Sequence, residues 1–282
     1  MTIAYASLYA LDHWTIHNVL PHDCPDPVAE GHLRQAIVDR ALAVHILSER
    51  TPELVTGSFT IPDGKPFHVP HPSYAGAYED IVTREAARAD LAIDPDEIVY
   101  AVVGAIRQYK GLDDLLVVFD RLAAEPDRRR RLLVAGAPGN EPGVEGFLAQ
   151  ARRHPLIHLH AGRVPSDQVQ VFLRAADLAV LPYRRSLNSG ALMLALTFGL
   201  PVVAPRGGAA SEIVTSSSGR LFEPGDLDSL AATIRSVEKL VGGAGAKGAL
   251  AVARAHDPAK VSARFAEALR ERLRTEPPPA GA

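Results

Sequence analysis

Residues 177–212, DLAVLPYRRSLNSGALMLALTFGLPVVAPRGGAASE, decide the fold. They read as an apolar strand (178–181), a polar loop, a helix of small residues, a second strand (201–204) and a Gly-Gly turn. A polar loop that leads from a buried strand into a helix N-terminus is where open α/β sheets receive anionic ligands. Free backbone N–H groups and the positive end of the helix dipole both favour negative charge there. Ser186, Asn188, Ser189 and Gly190 suit such an end: capping side chains, then a residue with no Cβ to obstruct a phosphate. An ordinary βαβ unit with a well-capped helix fits the same residues, so the flanking sequence has to decide.

Upstream the alternation is regular. Residues 98–103 read as a buried strand and 104–111 as a polar loop, followed by a helix with Leu112, Leu115, Leu116 and Phe119 on one stripe. Strands at 131–135 and 157–161 flank a helix at 143–153, and Ser166 is placed to cap a helix carrying Val169, Phe172, Leu173 and Ala176. Downstream come a strand at 219–222 and a helix capped by Asp226 with Leu230, Ile234 and Val237. The glycines of 242–248 read as a flexible break. A last helix opens at Asp257-Pro258 and carries Val261, Phe265, Leu269 and Leu273. Strands alternating with helices at this spacing mean a parallel sheet covered on both faces, an α/β fold.

The amino-terminal part is slighter. A strand end at 14–17, a helix at about 28–42 with Leu33, Ile37 and Ala41 on one face, a strand at 43–47, a brief helix capped by Ser48 and a strand at 67–69 make part of a domain. Residues 71–97, with a polar helix capped by Thr83, read as a linker. The expected division is 1–80, 81–255, a helix at 256–274 packing back on the first part, and a disordered tail at 275–282.

The chain's 282 residues suffice for about two domains. Its 47% hydrophobic and 22% charged residues are those of a soluble globular protein, and a net charge of −3 gives no basic field for nucleic acid. Cys24 is the single cysteine, so no intrachain disulfide forms and a reducing, cytoplasmic setting is expected. No apolar run reaches the ~18 residues of a membrane span.

Four constellations could carry chemistry. In Gly104-Ala-Ile-Arg107-Gln-Tyr-Lys110-Gly111, a guanidinium and an ammonium at the end of a parallel strand suit negative charge developing on a diphosphate; a solvated basic loop is the alternative. Gly207-Gly208 with Ser211-Glu212 allows close backbone approach and offers a carboxylate to a hydroxyl, while also reading as a tight turn before a helix. Residues 134–139 superficially resemble a dinucleotide fingerprint, but the glycine spacing is wrong and Pro138 removes an amide, which excludes a nicotinamide or flavin site. His17-Asn18 with Pro21-His22-Asp23 could orient an acceptor hydroxyl or take its proton, or be an ordinary surface loop. Histidines 13, 17, 22 and 32 reproduce no metal-ligand spacing, and Asp226 with Asp228 reads as a helix cap. Arg128 to Arg131 reads as a solvated helix-to-strand turn, with an anionic membrane surface as the lesser reading.

In this order the segments resemble glycosyltransferase family 4, retaining nucleotide-sugar enzymes of the GT-B fold, across most of residues 14–235. The resemblance implies a complete Rossmann-like donor domain and a partial second one. By it Arg107 and Lys110 would hold the donor diphosphate, and the helix start Ser189-Gly190-Ala191 would cradle a phosphate. Gly104, Gly136, Gly162 and Arg163 would lie near the nucleotide, and Ser186, Asn188, Gly207, Gly208 and Glu212 near the donor sugar. His17 would face the acceptor or the sugar, and no metal or other cofactor is expected.

Two departures stand out. The family's paired glutamates fall at Ser186 and Leu194, and a leucine accepts no hydrogen bond from a ribose hydroxyl. The usual arginine after the first glycine is Ala105, with Arg107 as its substitute. The chain also starts almost at the His-Asn segment, which implies a truncated acceptor domain and an open sheet edge for a homo- or hetero-oligomeric partner to cover. The expected activity is retaining hexosyl transfer from a nucleotide sugar to a hydroxyl acceptor, a sugar or lipid-linked sugar, in glycan, lipid-linked or polysaccharide biosynthesis, in the cytoplasm or peripheral at the inner membrane face. A non-catalytic homologue that binds a nucleotide or partner chain is the rival, and a nucleotide-sugar epimerase a more distant one.

Overall fold

The computed structural model describes residues 13–21 and 24–275. His22, Asp23, the tail from 276 and the side chain of Leu273 lie outside the described residues. In chain order the elements are β1 (His13–Ile16), α1 (Pro27–Arg40), β2 (Ala43–Ile46), α2 (Thr51–Val55), β3 (Pro66–His68), α3 (Arg84–Asp90) and β4 (Ile98–Val103). Then follow α4 (Leu112–Ala123), β5 (Arg130–Gly136), α5 (Pro142–Ala151), β6 (Ile157–Ala161), α6 (Val169–Ala175), β7 (Leu178–Val180) and α7 (Gly190–Thr197). The chain ends with β8 (Val202–Pro205), α8 (Ala210–Ile213), β9 (Gly219–Phe222), α9 (Leu227–Glu238), α10 (Gly243–Ala255) and α11 (Pro258–Thr275).

Two compact units result, one of the described residues up to Pro72 with those from His256, the other Ser73–Ala255. The larger holds a parallel sheet in the order β6-β5-β4-β7-β8-β9. Its strands are buried on both faces, which is why they read as nearly continuous apolar runs. One face packs Val99, Ala101, Leu133 and Ala179 against Phe172 of α6 and Leu192 and Leu196 of α7. The other packs Tyr100, Val102, Leu132 and Val180 against Leu115 and Phe119 of α4, Phe147 of α5 and Ile234 of α9. Helix starts follow their caps: Thr83 accepts from Ala86 N, Ser189 from Leu192 N, and Asp226 from Asp228 N and Ser229 N.

Several elements differ from the sequence reading. Residues 71–97 are no linker: Tyr74 N donates to Thr197 Oγ1, and Arg88 of α3 is buried against Asp177 and the carbonyls of Ala175 and Glu97. The units therefore part at 72/73, eight residues before the expected boundary at 80. Of the Gly-rich 242–248, the residues from Gly243 on are the start of α10, where a Cβ on Gly248 would overlap the Ser217 carbonyl and one on Gly245 that of Leu240. Close backbone packing outweighs glycine's low helix propensity there. Ser166 caps nothing; α6 begins at Val169 with Gln168 before it. Ser48 likewise is no N-cap of α2, although its Oγ accepts from Arg50 N.

Arg128 and Arg129 are exposed in the connection from α4 to β5, as the sequence suggested, but Arg130 and Arg131 are not solvated. Arg130 is 2% exposed and binds Glu238, Asp127 and the Leu122 carbonyl, Arg131 binds Glu97, and Arg129 binds Asp94. With these carboxylates neutralising it, the run is not a bare cationic patch.

The smaller unit orders its strands β1-β2-β3, all parallel. In α1 the buried centre is Val38 with Gly31, where the sequence pointed to Ile37 and Leu33, both only half-buried. Phe265 of α11 stands edge-on to His45 of β2 (4.9 Å between ring centroids), and His45 stacks on Phe67 of β3. His45 Nε2 meets the Val69 carbonyl at 2.8 Å and Nδ1 meets Thr15 Oγ1 at 3.1 Å, contacts that a neutral ring protonated on Nε2 satisfies. Burial is the main cause that lowers the His45 pKa below 6.5, opposed by the Val69 carbonyl and reinforced by His17, His13 and His68. Burial also lowers His71.

A depressed histidine pKa means that the unfolded chain takes up protons first, so stability is present above pH 6.5 and lost as pH falls from there towards the lowered folded value. The urea midpoint of the smaller unit is accordingly expected to fall between pH 7.5 and pH 5.5, and His45→Gln to flatten that dependence; an acid-insensitive midpoint in the unsubstituted chain would contradict it.

Candidate functional site

The sheet order reverses between β4 and β7: from β4 the chain proceeds outward to β5 and β6, then returns to β7 on the other side. Open α/β sheets bind ligands in the crevice at the carboxyl ends of the strands at such a point. Three loops converge on it. The loop after β4 ends in a 3₁₀ turn, Gln108–Lys110, and Gly111, whose φ of +63° and close approach to the Pro182 carbonyl leave no room for a side chain. The loop after β7 answers it, with Arg184 N donating to Tyr109 O at 3.1 Å. The loop after β8 closes on the second, since a Cβ on Gly208 would overlap the Leu187 carbonyl.

Lys110 sits at the centre. It is 7% exposed, its Nζ lies 5.4 Å from the centroid of the Tyr183 ring, and no carboxylate pairs with it among the described residues. Burial and the neighbouring Arg107 guanidinium push its ammonium down to about 8. Tyr183 is itself raised, chiefly by burial, and hydrogen-bonds Ser189, so one aromatic ring links Lys110 to the cap of α7. Ser189 Oγ satisfies Leu192 N, leaving the Gly190 and Ala191 N–H groups at the open end of that helix. Arg107 is 3.5 Å from Glu141.

Gly104, Gly136 and Gly162 follow or end β4, β5 and β6 side by side, with Gly104 N bonded to Ala135 O and Gly162 N to Gly136 O. A Cβ on Gly136 would overlap the Gly104 carbonyl, so the three carboxyl ends form a shelf of backbone. Ser186 Oγ donates to Asn188 O, and Gly207 N to Ser211 Oγ. Of the residues singled out from sequence, the structure thus brings together Gly104, Lys110, Ser189 and Gly190, with Ser186, Asn188, Ala191, Gly207 and Gly208 in the adjoining loops. Arg163 stands exposed after β6 and Glu212 exposed on α8. His17 follows β1 in the smaller unit and is also exposed.

Sequence reasoning missed the pairing that fastens these loops. Arg184 donates from Nε to Asp114 Oδ2 at 2.8 Å and from Nη2 to Asp114 Oδ1 at 2.9 Å and Asp113 Oδ2 at 2.6 Å. Its signal was an arginine pair after one strand and an aspartate pair after another, which become neighbours only through the strand order.

Residues 83–241 match the family described as glycosyl transferases group 1. The D-inositol 3-phosphate glycosyltransferase 2 of Catenulispora acidiphila is 36% identical over 157 residues, covering 51% of this chain and 36% of the relative. The chain spans between about a third and a half of the length of the curated relatives it matches. Among solved structures, a sucrose-phosphate synthase from Thermosynechococcus elongatus superposes with a TM-score of 0.77 at 17% identity, covering 98% of this chain and 71% of that one. HepE of Anabaena, in complex with UDP-glucose, gives 0.76 at 18% identity, covering 92% and 72%. These likenesses establish an α/β fold of the GT-B type.

A buried ammonium without a counter-ion costs the ligand-free protein stability. A fall from 10.5 to about 8 corresponds to about 3 kcal/mol at neutral pH. Lys110→Met is therefore expected to raise the unfolding free energy of the ligand-free chain by ~1–3 kcal/mol at pH 7 and by less at pH 9.5, where the lysine is already neutral. Denaturant titrations at the two pH values check it, and a destabilised methionine variant would refute it.

Proposed function

The chain belongs to the group 1 glycosyl transferases, and we propose that within that family it moves a hexosyl group from a nucleotide-diphosphate sugar to a hydroxyl acceptor, a sugar or lipid-linked sugar, with retention at the transferred carbon. The observation that carries this reading is Lys110, a buried cation at the point where the sheet order reverses, with no carboxylate paired to it among the described residues. A diphosphate supplies the missing charge. As the bond from the anomeric carbon to the diphosphate oxygen breaks, negative charge grows on the leaving group. Arg107, Lys110 and the N–H groups of Gly190 and Ala191 stabilise it more than they stabilise the bound donor.

That HepE was solved with UDP-glucose on the same fold supports a nucleotide sugar as donor. Gly104, Gly136 and Gly162 offer backbone to the nucleotide, with exposed Arg163 at the edge of their shelf. Gly207 and Gly208 offer it to the sugar, with Glu212 as the carboxylate for a sugar hydroxyl. For the acceptor we propose His17 as the group that orients or receives the hydroxyl proton. Because two cationic side chains supply the charge, transfer is proposed to need no metal ion.

The second reading is a homologue that binds a nucleotide without turnover. What favours it is the absence of carboxylates at Ser186 and Leu194; Leu194 instead packs against the apolar layer around α7.

Lys110→Ala is expected to weaken UDP binding by tenfold or more in calorimetry, since a charge-assisted contact of ~1.5–3 kcal/mol is lost. In the unsubstituted chain UDP affinity is expected to hold below pH 7 and to fall between pH 7.5 and 9.5 as Lys110 deprotonates, a dependence that Lys110→Ala removes. Unchanged affinity in the alanine variant would end the diphosphate assignment. A panel of nucleotide sugars, assayed with and without a chelator, separates the two readings: chelator-insensitive transfer supports the enzyme, and binding without turnover the homologue.

A further inference from the structure

Two carboxylates stand beside the cationic pair. Asp113 and Asp114 occupy the first turn of α4. Asp113 borders the same small cleft as Arg107 and Gln108, and Asp114 Oδ2 lies 3.4 Å from where a Cβ of Gly111 would be, one residue beyond Lys110. A carboxylate released towards the lysine would compete for it and repel an approaching anion. Yet neither pairs with Lys110, and both turn to the single guanidinium of Arg184, which forks across Asp114 and reaches Asp113 from the same nitrogen.

We infer that Arg184 is a positioning residue for the anion site: by holding Asp113 and Asp114 it keeps them off Lys110 and out of the field that a diphosphate meets. The inference rests on the diphosphate reading above and adds to it a residue from the opposite side of the crevice. Arg184 suits the task in three ways. Its planar fork matches two carboxylate oxygens at once, which an ammonium cannot do. Its backbone N–H is tied to Tyr109 O, so the side chain starts from a fixed point beside Lys110. The dipole of α4 also favours the carboxylates at its start, which holds them against the helix while Arg184 takes their outward charge.

A simple staple between loops would use the same contacts, and the two roles differ in what rescues their loss. Arg184→Ala leaves two uncompensated carboxylates beside the cations. It is expected to weaken UDP binding by on the order of tenfold. Asp113→Asn with Asp114→Asn, added to Arg184→Ala, is expected to restore most of the affinity although the staple stays broken. Calorimetry with UDP, and with GDP and ADP in parallel, reads this out, alongside thermal melts of each variant. Should Arg184→Ala fail to fold, Arg184→Gln with and without the two asparagines makes the same comparison. Unchanged affinity in the Arg184 variant, or a loss that the asparagines leave in place, overturns the inference and leaves the diphosphate reading standing. An unsubstituted chain that binds none of the three nucleotides brings down both.

Discussion

Lys110 is a cation that the fold buries and, among the described residues, leaves without a counter-ion, and the arrangement around it follows from that constraint. Desolvating an ammonium is tolerable only where nearby groups make it tractable. Here the Tyr183 ring lies beneath it, and the tight turn at Gly111 anchors its backbone against Pro182. The remaining imbalance is electrostatic, and the proposed diphosphate would resolve it.

The two ends of the large sheet treat buried charge in opposite ways. At the amino-terminal ends of the strands, Asp177 collects Val99 N, Arg88 and Arg84, and Arg88 also donates to the carbonyls of Asp94, Pro95 and Glu97. Tyr100, Arg130 and Glu238 form a second closed set. These networks are fully paired, as buried charges must be if they are not to destabilise the fold. At the carboxyl ends a cation is left open beside a helix start with free N–H groups. The polarity of the parallel sheet, which gathers helix N-termini at one end, is mirrored in where the chain completes its ion pairs and where it does not.

Much of this was legible in the sequence. Strands buried on both faces declare themselves as runs of Val, Leu and Ala, and Thr83, Ser189 and Asp226 mark helix starts by a short-range hydrogen bond that needs no tertiary context. The loops bearing Arg107, Lys110, Ser189 and Gly208 were readable because each follows a strand and precedes a helix. What failed depends on partners far along the chain. The glycines of α10 look like a break until Ser217 and Leu240 are seen against them, and Arg130 and Arg131 look solvated until Glu238 and Glu97 arrive. Asp113 and Asp114 read only as a favourable first turn, while Arg184 read as loop polarity.

Lys110 sets a cost that the rest of the unit has to offset. A group that lowers stability by about 3 kcal/mol consumes a substantial part of the 5–15 kcal/mol that holds a domain together. Two continuous apolar layers and two closed ion networks offset it, and they lie below the crevice, where they can be rigid without meeting a ligand. The three convergent loops carry the opposite requirement. On the reading proposed above they hold a charge in place without neutralising it: their own carboxylates are bound by Arg184, and their close approaches are made through glycine backbone. Stability and reactivity are thus assigned to opposite ends of the same strands, and the α/β layering permits the separation because each strand is buried between both.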